Sequence, residues 1–325
     1  MMQDLPDRIP EPLRQFILKV RQLRQFRRET GFRDTPVNAR EALEAITRPF
    51  QSRTVEIPLI RDEMIPGPRF QVPVRLYHPA PDETRPVAIF AHGGGHLAGS
   101  LSIYDPIARK LALASGWLVC SVDYRLAPEC PYPAGLHDLL ACIKGIFPLL
   151  ESQGRPIPFT RRLALIGDSA GGALCASAAH LAQFEAGVQI ERQVLIYPSL
   201  DYTLSQPSTW ELGEGWIPDR ERIFWYFDCY FRGGENRQAV SPLFMPLTPR
   251  YPATLLLSAE FCPLRDEGRA YAERLRAASI PCEEVDYAGM VHAFVNLEDL
   301  APEACADLYR RIGAFLAGPD SPVAA

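Results

Sequence analysis

The segment from Leu163 to Ala179 constrains the fold more than any other part of the chain. It begins with a continuously apolar run, typical of a strand covered on both faces of a sheet, and ends in a helix of small residues. Between the two, Gly167 and Gly171 flank Ser169 in a GxSxG turn, where close approach of neighbouring elements leaves no space for a Cβ. A strand, a tight turn and a helix in succession indicate an α/β fold.

Short strand-like runs alternate with helical patterns along most of the chain. The predicted strands cover residues 54–60, 70–77, 87–91, 117–122, 163–166, 193–197, 253–258 and 282–287. The predicted helices between them include residues 103–115, 136–150, 170–184 and 267–279. This alternation predicts a mostly parallel, eight-stranded sheet with helices on both faces.

Two parts of the chain fall outside the alternation. Residues 12–30 have apolar side chains at helical spacing and arginines on the remaining faces, which is typical of a helix that packs onto the body of a protein. Residues 198–251 are rich in aromatic side chains and show no regular strand pattern. We therefore predict N-terminal cap helices in residues 1–50 and a catalytic domain in residues 51–325, with a cap insertion at about residues 200–245.

The composition excludes several classes of protein. Thirty-four basic and 39 acidic residues give a formal net charge of −5, so the chain lacks the basic surface that binds nucleic acid. No apolar run approaches the roughly 20 residues of a membrane helix, which argues against stable membrane insertion. The eight cysteines lack CxxC and zinc-ligand spacing and are interpreted as reduced thiols. The first ten residues do not have the pattern of a signal peptide, so we expect a cytoplasmic protein. Whether it forms a homodimer stays open.

A glycine loop follows the predicted strand at residues 87–91. It reads His92-Gly-Gly94-Gly95-His96, and such a loop exposes backbone N–H groups at the end of a buried strand. Acyl transfer passes through a tetrahedral oxyanion, which N–H donors held in advance around the oxygen stabilise by about 3 kcal/mol or more. The glycine loop and the turn at Ser169 would supply the two halves of such an oxyanion hole. We interpret His92 as an anchor that holds its own loop.

Other interpretations of this loop fit less well. Its spacing also matches a dinucleotide fingerprint, with Asp123 in the place of the ribose-binding acid. That motif requires a helix to open at the glycines, however, and Gly99, Ser100 and Pro106 delay the helical pattern. The spacing of His92 and His96 would suit a metal only on a helix, which the three glycines prevent, so we predict neither a metal site nor a cofactor.

His292 is the strongest candidate for a general base among the six histidines. It follows the last predicted strand, residues 282–287, through a short turn. Where the nucleophile lies on a strand-to-helix turn of this kind, the chain order is nucleophile, acid and then base. A base after the last strand therefore fits a nucleophile at Ser169.

These motifs together resemble the hormone-sensitive-lipase-like branch of the α/β-hydrolase esterases. The resemblance rests on residues 92–95 (HGGG), 123–129 (DYRLAPE), 167–172 (GDSAGG), 197–198 (YP), 263–268 (PLRDEG) and 289–294 (GMVHAF). It implies an α/β-hydrolase fold with a helical cap and a small-molecule ester as substrate, hydrolysed without a cofactor. It also implies Ser169 as the nucleophile, His292 as the base, and the N–H groups of Gly94, Gly95 and Ala170 as oxyanion donors.

The sequence departs from this family at one position that matters. The family's catalytic acid directly precedes Pro-Leu-x-Asp, and here Cys262 occupies that position. A neutral thiol does not stabilise an imidazolium as a carboxylate does, and losing the acid of a triad typically lowers kcat by ~10⁴. One explanation is that Glu260 or Asp266 serves as a surrogate acid.

Two further explanations remain open. The chain could be a serine carboxylesterase for short- to medium-chain esters, with an acyl-enzyme on Ser169 and activity weakened by Cys262. Alternatively, it could be a ligand-binding relative with little or no catalysis, as in the plant gibberellin receptors, which resemble this family but have lost the histidine. The retained Ser169, His292 and glycine loop favour catalysis.

Overall fold

In the computed structural model, which describes residues 5–152 and 156–318, eight strands form one sheet. They are β1 (Leu59–Pro66), β2 (Gln71–His78), β3 (Arg85–Ala91), β4 (Leu118–Val122), β5 (Phe159–Asp168), β6 (Arg192–Ile196), β7 (Ala253–Phe261) and β8 (Cys282–Val291). Their order is β1-β2-β4-β3-β5-β6-β7-β8; β2 runs antiparallel to β1 and β4, and the other neighbours are parallel. The predicted mostly parallel, eight-stranded sheet is confirmed.

The same residues form nine α-helices. They are α1 (Glu11–Glu29), α2 (Pro36–Thr47), α3 (Leu101–Ser115), α4 (Ala134–Leu150), α5 (Ala170–Ala182), α6 (Pro207–Glu211), α7 (Arg220–Tyr230), α8 (Arg265–Ala277) and α9 (Pro302–Ala317). Three short 3-10 helices cover Arg48–Phe50, Pro242–Phe244 and Phe294–Leu300. Within the described ranges, no helix is both long and apolar enough to span a membrane.

Helices cover both faces of the sheet, as predicted. On β3, successive side chains point to opposite faces, so Ile89 and Phe90 are both fully buried but belong to different parts of the core. α3 and α9 pack on the face of Phe90, and α4, α5 and α8 pack on the face of Ile89. This two-sided burial explains why the inner strands are apolar throughout.

The first predicted strand is wrong in position. The sequence places it at residues 54–60, whereas β1 covers Leu59–Pro66. β1 is an edge strand whose side chains are alternately half-buried and exposed, and it carries Arg61, Asp62 and Glu63. Charged side chains on such an edge hide the strand pattern, which explains the error. The predicted range shares only Leu59 and Ile60 with β1, whereas most of each of the other seven predicted strands lies within the observed strand.

Two segments outside the sheet lie together near its carboxyl edge. We call residues 5–50 the N-terminal segment and residues 199–252 the inserted segment. Arg21 of α1 donates from Nε to the carbonyl oxygen of Gly215 over 2.7 Å, and Arg24 Nη1 lies 3.3 Å from Asp219 Oδ2. These contacts join the two segments. Residues 1–4, 153–155 and 319–325, which belong to the predicted cap and catalytic domains, lie outside the described residues.

Candidate active site

Ser169 lies at the sharp turn between β5 and α5. Its backbone has φ 53° and ψ −119°, a conformation that few non-glycine residues adopt and that the surrounding structure must enforce. The turn is tight enough that a Cβ on Gly167 would lie 2.4 Å from the carbonyl oxygen of Gly171. A Cβ on Gly171 would lie 2.0 Å from the carbonyl oxygen of Ala91. The two glycines of the GxSxG turn are therefore required by backbone packing.

The imidazole of His292 faces the Ser169 hydroxyl. His292 follows the last residue of β8, and its Nε2 lies 2.9 Å from Ser169 Oγ. Burial lowers the pKa of His292 to about 3, because its charged form would lose its hydration without gaining a carboxylate partner. The imidazole is therefore neutral at neutral pH, as a base that removes the hydroxyl proton must be.

Cys262 contacts the other nitrogen of this imidazole. Its Sγ lies 3.1 Å from His292 Nδ1 and accepts a hydrogen bond from the backbone N–H of Leu264 over 3.3 Å. The side chain is fully buried, and burial raises the pKa of the thiol well above its ordinary value. The residue at the acid position of the triad is therefore a neutral thiol.

The structure does not bring Glu260 or Asp266 to His292. The Glu260 carboxylate forms an ion pair with Arg8 and accepts the N–H of Gly289 over 2.9 Å. The Arg8 guanidinium holds the pKa of Glu260 below its usual range. The Asp266 carboxylate accepts the N–H of Ser208 over 3.0 Å and bonds to its neighbour, Arg265.

Since Ser169 and Cys262 occupy both ring nitrogens, neither carboxylate acts as surrogate acid in this geometry. The reason is the direction of the side chains. Glu260 lies at the end of β7 with its carboxylate turned toward the N-terminal segment, and Asp266 lies in the first turn of α8 with its carboxylate turned toward α6.

The glycine loop lies beside the Ser169 turn. Gly94 and Gly95 have φ values of 120° and 64°, which an L side chain rarely adopts. The carbonyl oxygen of Gly94 accepts the N–H groups of Leu97 and Ala98, which fixes the loop in a tight turn. On the other side, Ala170 is the first residue of α5, so its N–H has no acceptor within the helix. The three predicted oxyanion donors thus lie on two backbone segments fixed by local geometry.

Asp168 ties these two segments together. Its Oδ1 accepts the N–H of Gly93 over 2.7 Å, and its Oδ2 accepts the Tyr104 hydroxyl over 3.2 Å. Burial raises the pKa of Asp168 to about 7. Asp168, the residue directly before Ser169 in the chain, therefore positions the glycine loop. Sequence reasoning assigned Asp168 no role, because nothing in the spacing shows which loop its side chain faces.

His92 bonds to its own loop. Its Nδ1 lies 2.8 Å from the carbonyl oxygen of Gly93, and its ring stacks on Tyr124 with centroids 4.4 Å apart. Burial lowers the pKa of His92 to about 4, so a neutral ring donates its Nδ1–H to that carbonyl. The Tyr124 hydroxyl in turn donates to the His92 carbonyl over 2.7 Å. No cluster of three or more potential metal ligands is found among the described side chains.

A cavity of about 600 Å³ adjoins the glycine loop. It is lined by α1, α2, α7 and neighbouring residues; Gly94 is among the lining residues, whereas Ser169 and His292 are not. Tyr226 packs against the loop so closely that a Cβ on Gly95 would lie 2.6 Å from its ring. The N-terminal and inserted segments therefore form the walls of a space beside two of the predicted oxyanion donors.

Comparison with known proteins decides the family. Residues 88–296 match the family model described as alpha/beta hydrolase fold. The chain belongs to the α/β-hydrolase fold family. The matched residues include the glycine loop, Ser169, Cys262 and His292, whereas the N-terminal segment lies outside them.

Several esterases are similar to this α/β hydrolase over most of its length. The carboxylic ester hydrolase LipN of Mycobacterium tuberculosis is 32% identical over 291 residues, which cover 87% of this chain and 77% of that protein. The carboxylesterase NlhH of the same organism is 37% identical, covering 75% of this chain and 77% of that protein. The solved hyperthermophilic esterase from Pyrobaculum calidifontis is 31% identical with a TM-score of 0.80, covering 90% of this chain and 96% of that one. The resemblance to the hormone-sensitive-lipase-like family is confirmed.

Proposed function

We propose that this α/β hydrolase is a serine carboxylesterase that hydrolyses short- to medium-chain carboxylic esters through an acyl-enzyme on Ser169. The observation that carries the proposal is the 2.9 Å contact between Ser169 Oγ and His292 Nε2 at the strand-to-helix turn. The names of similar proteins support it, among them the 31% identical ethyl acetate hydrolase of Pseudomonas putida.

The first half of the proposed reaction forms the acyl-enzyme. His292 Nε2 takes the hydroxyl proton as Ser169 Oγ attacks the ester carbonyl carbon, and the carbonyl oxygen becomes an oxyanion. The N–H groups of Gly94, Gly95 and Ala170 stabilise that negative charge. The tetrahedral intermediate then expels the alkoxide, which receives the proton from His292 and leaves as the alcohol.

The second half releases the acid. Water enters in place of the alcohol, gives a proton to His292 Nε2 and attacks the acyl carbon. A second oxyanion forms in the same hole and collapses, and Ser169 Oγ leaves with the proton that His292 held. The balance is one ester and one water giving one acid and one alcohol, with every step carried by groups of the chain.

Cys262 weakens this reaction by failing to fix the protonation of His292. The base needs its proton on Nδ1 so that Nε2 can accept from Ser169. A neutral thiol permits this arrangement, because Sγ can accept from Nδ1–H, but it equally permits S–H to donate to Nδ1, which leaves the proton on Nε2. The thiol also provides no negative charge for the imidazolium of the transition state. We therefore propose an esterase of attenuated activity.

The N-terminal and inserted segments act as the helical cap of this site. Their contacts to each other and the cavity they form beside Gly94 support the role. In this proposal, the cap limits the length of the substrate, so short acyl chains react faster than long ones. The substrate is a small-molecule ester, and the protein acts in the cytoplasm.

Labelling with a fluorophosphonate, together with turnover of p-nitrophenyl acetate, tests the assignment of Ser169. The wild type should react with the probe and hydrolyse the ester, and Ser169→Ala should lose both. The control is Ser102→Ala, which removes an exposed hydroxyl at the start of α3 and should keep both. If folded Ser169→Ala kept more than a few per cent of wild-type turnover, the nucleophile would be elsewhere.

The Cys262–His292 contact favours one alternative function, a ligand-binding relative with little or no catalysis. In that case, the folded wild type would give neither turnover nor labelling. The present proposal would then be wrong, and the cavity beside Gly94 would be the candidate ligand site.

A further inference from the structure

The charges around the cavity beside Gly94 indicate which class of substrate the site accepts. This inference rests on the proposed ester hydrolysis. The cavity combines apolar walls with an arginine-rich rim. Leu43, Ile46 and Trp225 are among its apolar lining residues. Five arginines and three carboxylates also line it, which leaves two positive charges in excess. This local excess contrasts with the net charge of −5 of the whole chain.

Three of the five arginines are paired with the three carboxylates of the same lining. The pairs are Arg24 with Asp219 at 3.3 Å, Arg28 with Glu221 at 3.3 Å, and Arg222 with Asp34. Each pair joins the N-terminal segment to the inserted segment. These three arginines therefore hold the two segments together, and their charge is balanced within the protein.

Arg27 and Arg33 supply the excess charge. Neither forms an ion pair within residues 5–152 and 156–318. The Arg27 guanidinium lies 4.6 Å from the ring centroid of Phe32, which holds it at the rim without neutralising it. Arg33 is exposed in the loop between α1 and α2 and also lines the cavity.

We propose that this cavity binds the distal part of an ester that carries a carboxylate. The apolar walls take the carbon chain between the ester and the charge, and Arg27 and Arg33 attract the carboxylate. A cleft with low-dielectric walls and charge of one sign concentrates the field on a ligand of the opposite sign. Because Gly94 lines the cavity, a chain lying in it would contact one of the predicted oxyanion donors.

The test compares charged and neutral esters of matched size. One pair places the charge on the acyl side: the mono-p-nitrophenyl ester of hexanedioic acid and its methyl-capped diester. The other places it on the alcohol side: 4-acetoxybenzoate and its methyl ester. For each pair, the measured quantity is the ratio of kcat/KM for the charged ester to kcat/KM for the neutral one.

In at least one pair, the double variant Arg27→Gln/Arg33→Gln should lower this ratio by about fivefold or more. Raising the salt concentration should lower the wild-type ratio in the same direction, because ions screen the attraction. The matched control is Arg48→Gln/Arg53→Gln, which removes two positive charges from exposed positions outside the cavity lining and should leave the ratio unchanged.

The proposal is wrong if the double variant Arg27→Gln/Arg33→Gln changes neither ratio by more than twofold. It is also wrong if the control Arg48→Gln/Arg53→Gln lowers the same ratio as much as the double variant does. Isothermal titration calorimetry of the same esters with Ser169→Ala compares the binding affinities of charged and neutral esters without turnover. A charge preference in that binding would support the cavity assignment even in a protein that hydrolyses no ester. Failure of the charge preference and failure of the proposed catalysis are thus separate results.

Discussion

Cys262 contacts the proposed base without fixing its protonation. Its thiol contacts His292 Nδ1 at 3.1 Å and accepts the N–H of Leu264, so the single proton of the thiol has Nδ1 as its nearby acceptor. When the thiol donates there, Nε2 carries a proton and cannot accept from Ser169. A carboxylate in the same place has no proton to donate and leaves only the productive tautomer.

Replacing the thiol by a carboxylate should therefore raise activity. We expect Cys262→Asp to increase kcat/KM for p-nitrophenyl acetate by ~10² or more, because Asp would fix the tautomer of His292 and offset its charge in the transition state. Cys262→Asn is the matched control, similar in size but uncharged, and should stay at or below the wild type. If folded Cys262→Asp hydrolysed the ester no faster than the wild type, the absence of a carboxylate at this position would not be what limits activity.

The same substitution should change the pH dependence of catalysis. In the wild type, burial lowers the pKa of His292 to about 3, so protonation of His292 should contribute no acid limb to kcat/KM between pH 5 and 8. In Cys262→Asp, the nearby negative charge favours the imidazolium and raises this pKa, so an acid limb should move up toward the ordinary histidine value of about 6.5. Profiles of kcat/KM against pH for both proteins test the direction. Coincident profiles would contradict it.

The direction of individual side chains was the part of the site that the sequence could not supply. Motif spacing was enough to place Ser169, His292 and Cys262 in one site, because each follows a strand whose end lies at the same edge of the sheet. Whether Glu260 reached the imidazole depended on Arg8, a residue 252 positions away in the chain that draws the carboxylate outward. No local pattern contains that information.

At the scale of elements, the glycine loop and the Ser169 turn form a coupled pair. Asp168, the last residue of β5, holds Gly93 through a 2.7 Å hydrogen bond, so the two halves of the proposed oxyanion hole are positioned by one side chain. Tyr226 of α7 packs on the opposite side of the loop, against Gly95. The loop therefore has little freedom to shift when its residues are enlarged.

An alanine at Gly95 tests this constraint. It would impose a φ of 64° on an L residue and place a Cβ 2.6 Å from the Tyr226 ring. We expect kcat to fall by about 10², since the loop would have to move and one proposed oxyanion donor would be displaced.

Gly116→Ala is the matched control for this backbone strain. Gly116 ends α3 with a φ of 68°, and its nearest heavy-atom neighbour would lie 3.6 Å from the new Cβ. This variant should lose about 1 kcal/mol of stability and keep its kcat. Equal effects of the two variants on kcat would indicate general strain instead of a role for the loop.

Periodicity predicted the inner elements better than the outer ones. β3 and β5 are buried on both faces, so their apolar runs stand out in the sequence. β1 lies at the edge of the sheet, where charged side chains are tolerated, and its predicted position was wrong by several residues. α9 was not predicted, although it buries Leu308 and Ile312. Its role depends on packing against α3, which only the tertiary structure reveals.

At the scale of the whole molecule, the N-terminal segment is part of the core as well as a wall of the cavity. Leu13 and Ile17 on α1 are fully buried in the same apolar cluster as side chains of α3 and α9. The Gln51 side chain just after the segment donates to the carbonyl oxygen of Val295 over 2.6 Å. The segment should therefore unfold together with the sheet in one transition.

Two leucines on α1 test this integration. We expect Leu13→Ala to lower the free energy of unfolding by about 2–5 kcal/mol, because the residue is fully buried. Leu23 lies on the same helix but is 50% exposed, so Leu23→Ala should lower the free energy of unfolding by less than about 0.5 kcal/mol. Urea denaturation followed by circular dichroism and by tryptophan fluorescence measures both values. A separate early transition confined to the N-terminal segment would contradict a single cooperative unit.

The distant partners of Arg8 and Gln51, which flank the two N-terminal helices, have a consequence for synthesis on the ribosome. Arg8 pairs with Glu260, 252 residues later, and Gln51 with Val295, 244 residues later. At roughly 5–20 residues per second, the apolar side of α1 emerges roughly 10–50 s before these partners exist. During that interval, Leu13 and Ile17 lack the side chains of α9 that belong to the same apolar cluster. α1 therefore completes its packing only after the last strand of the sheet has been made.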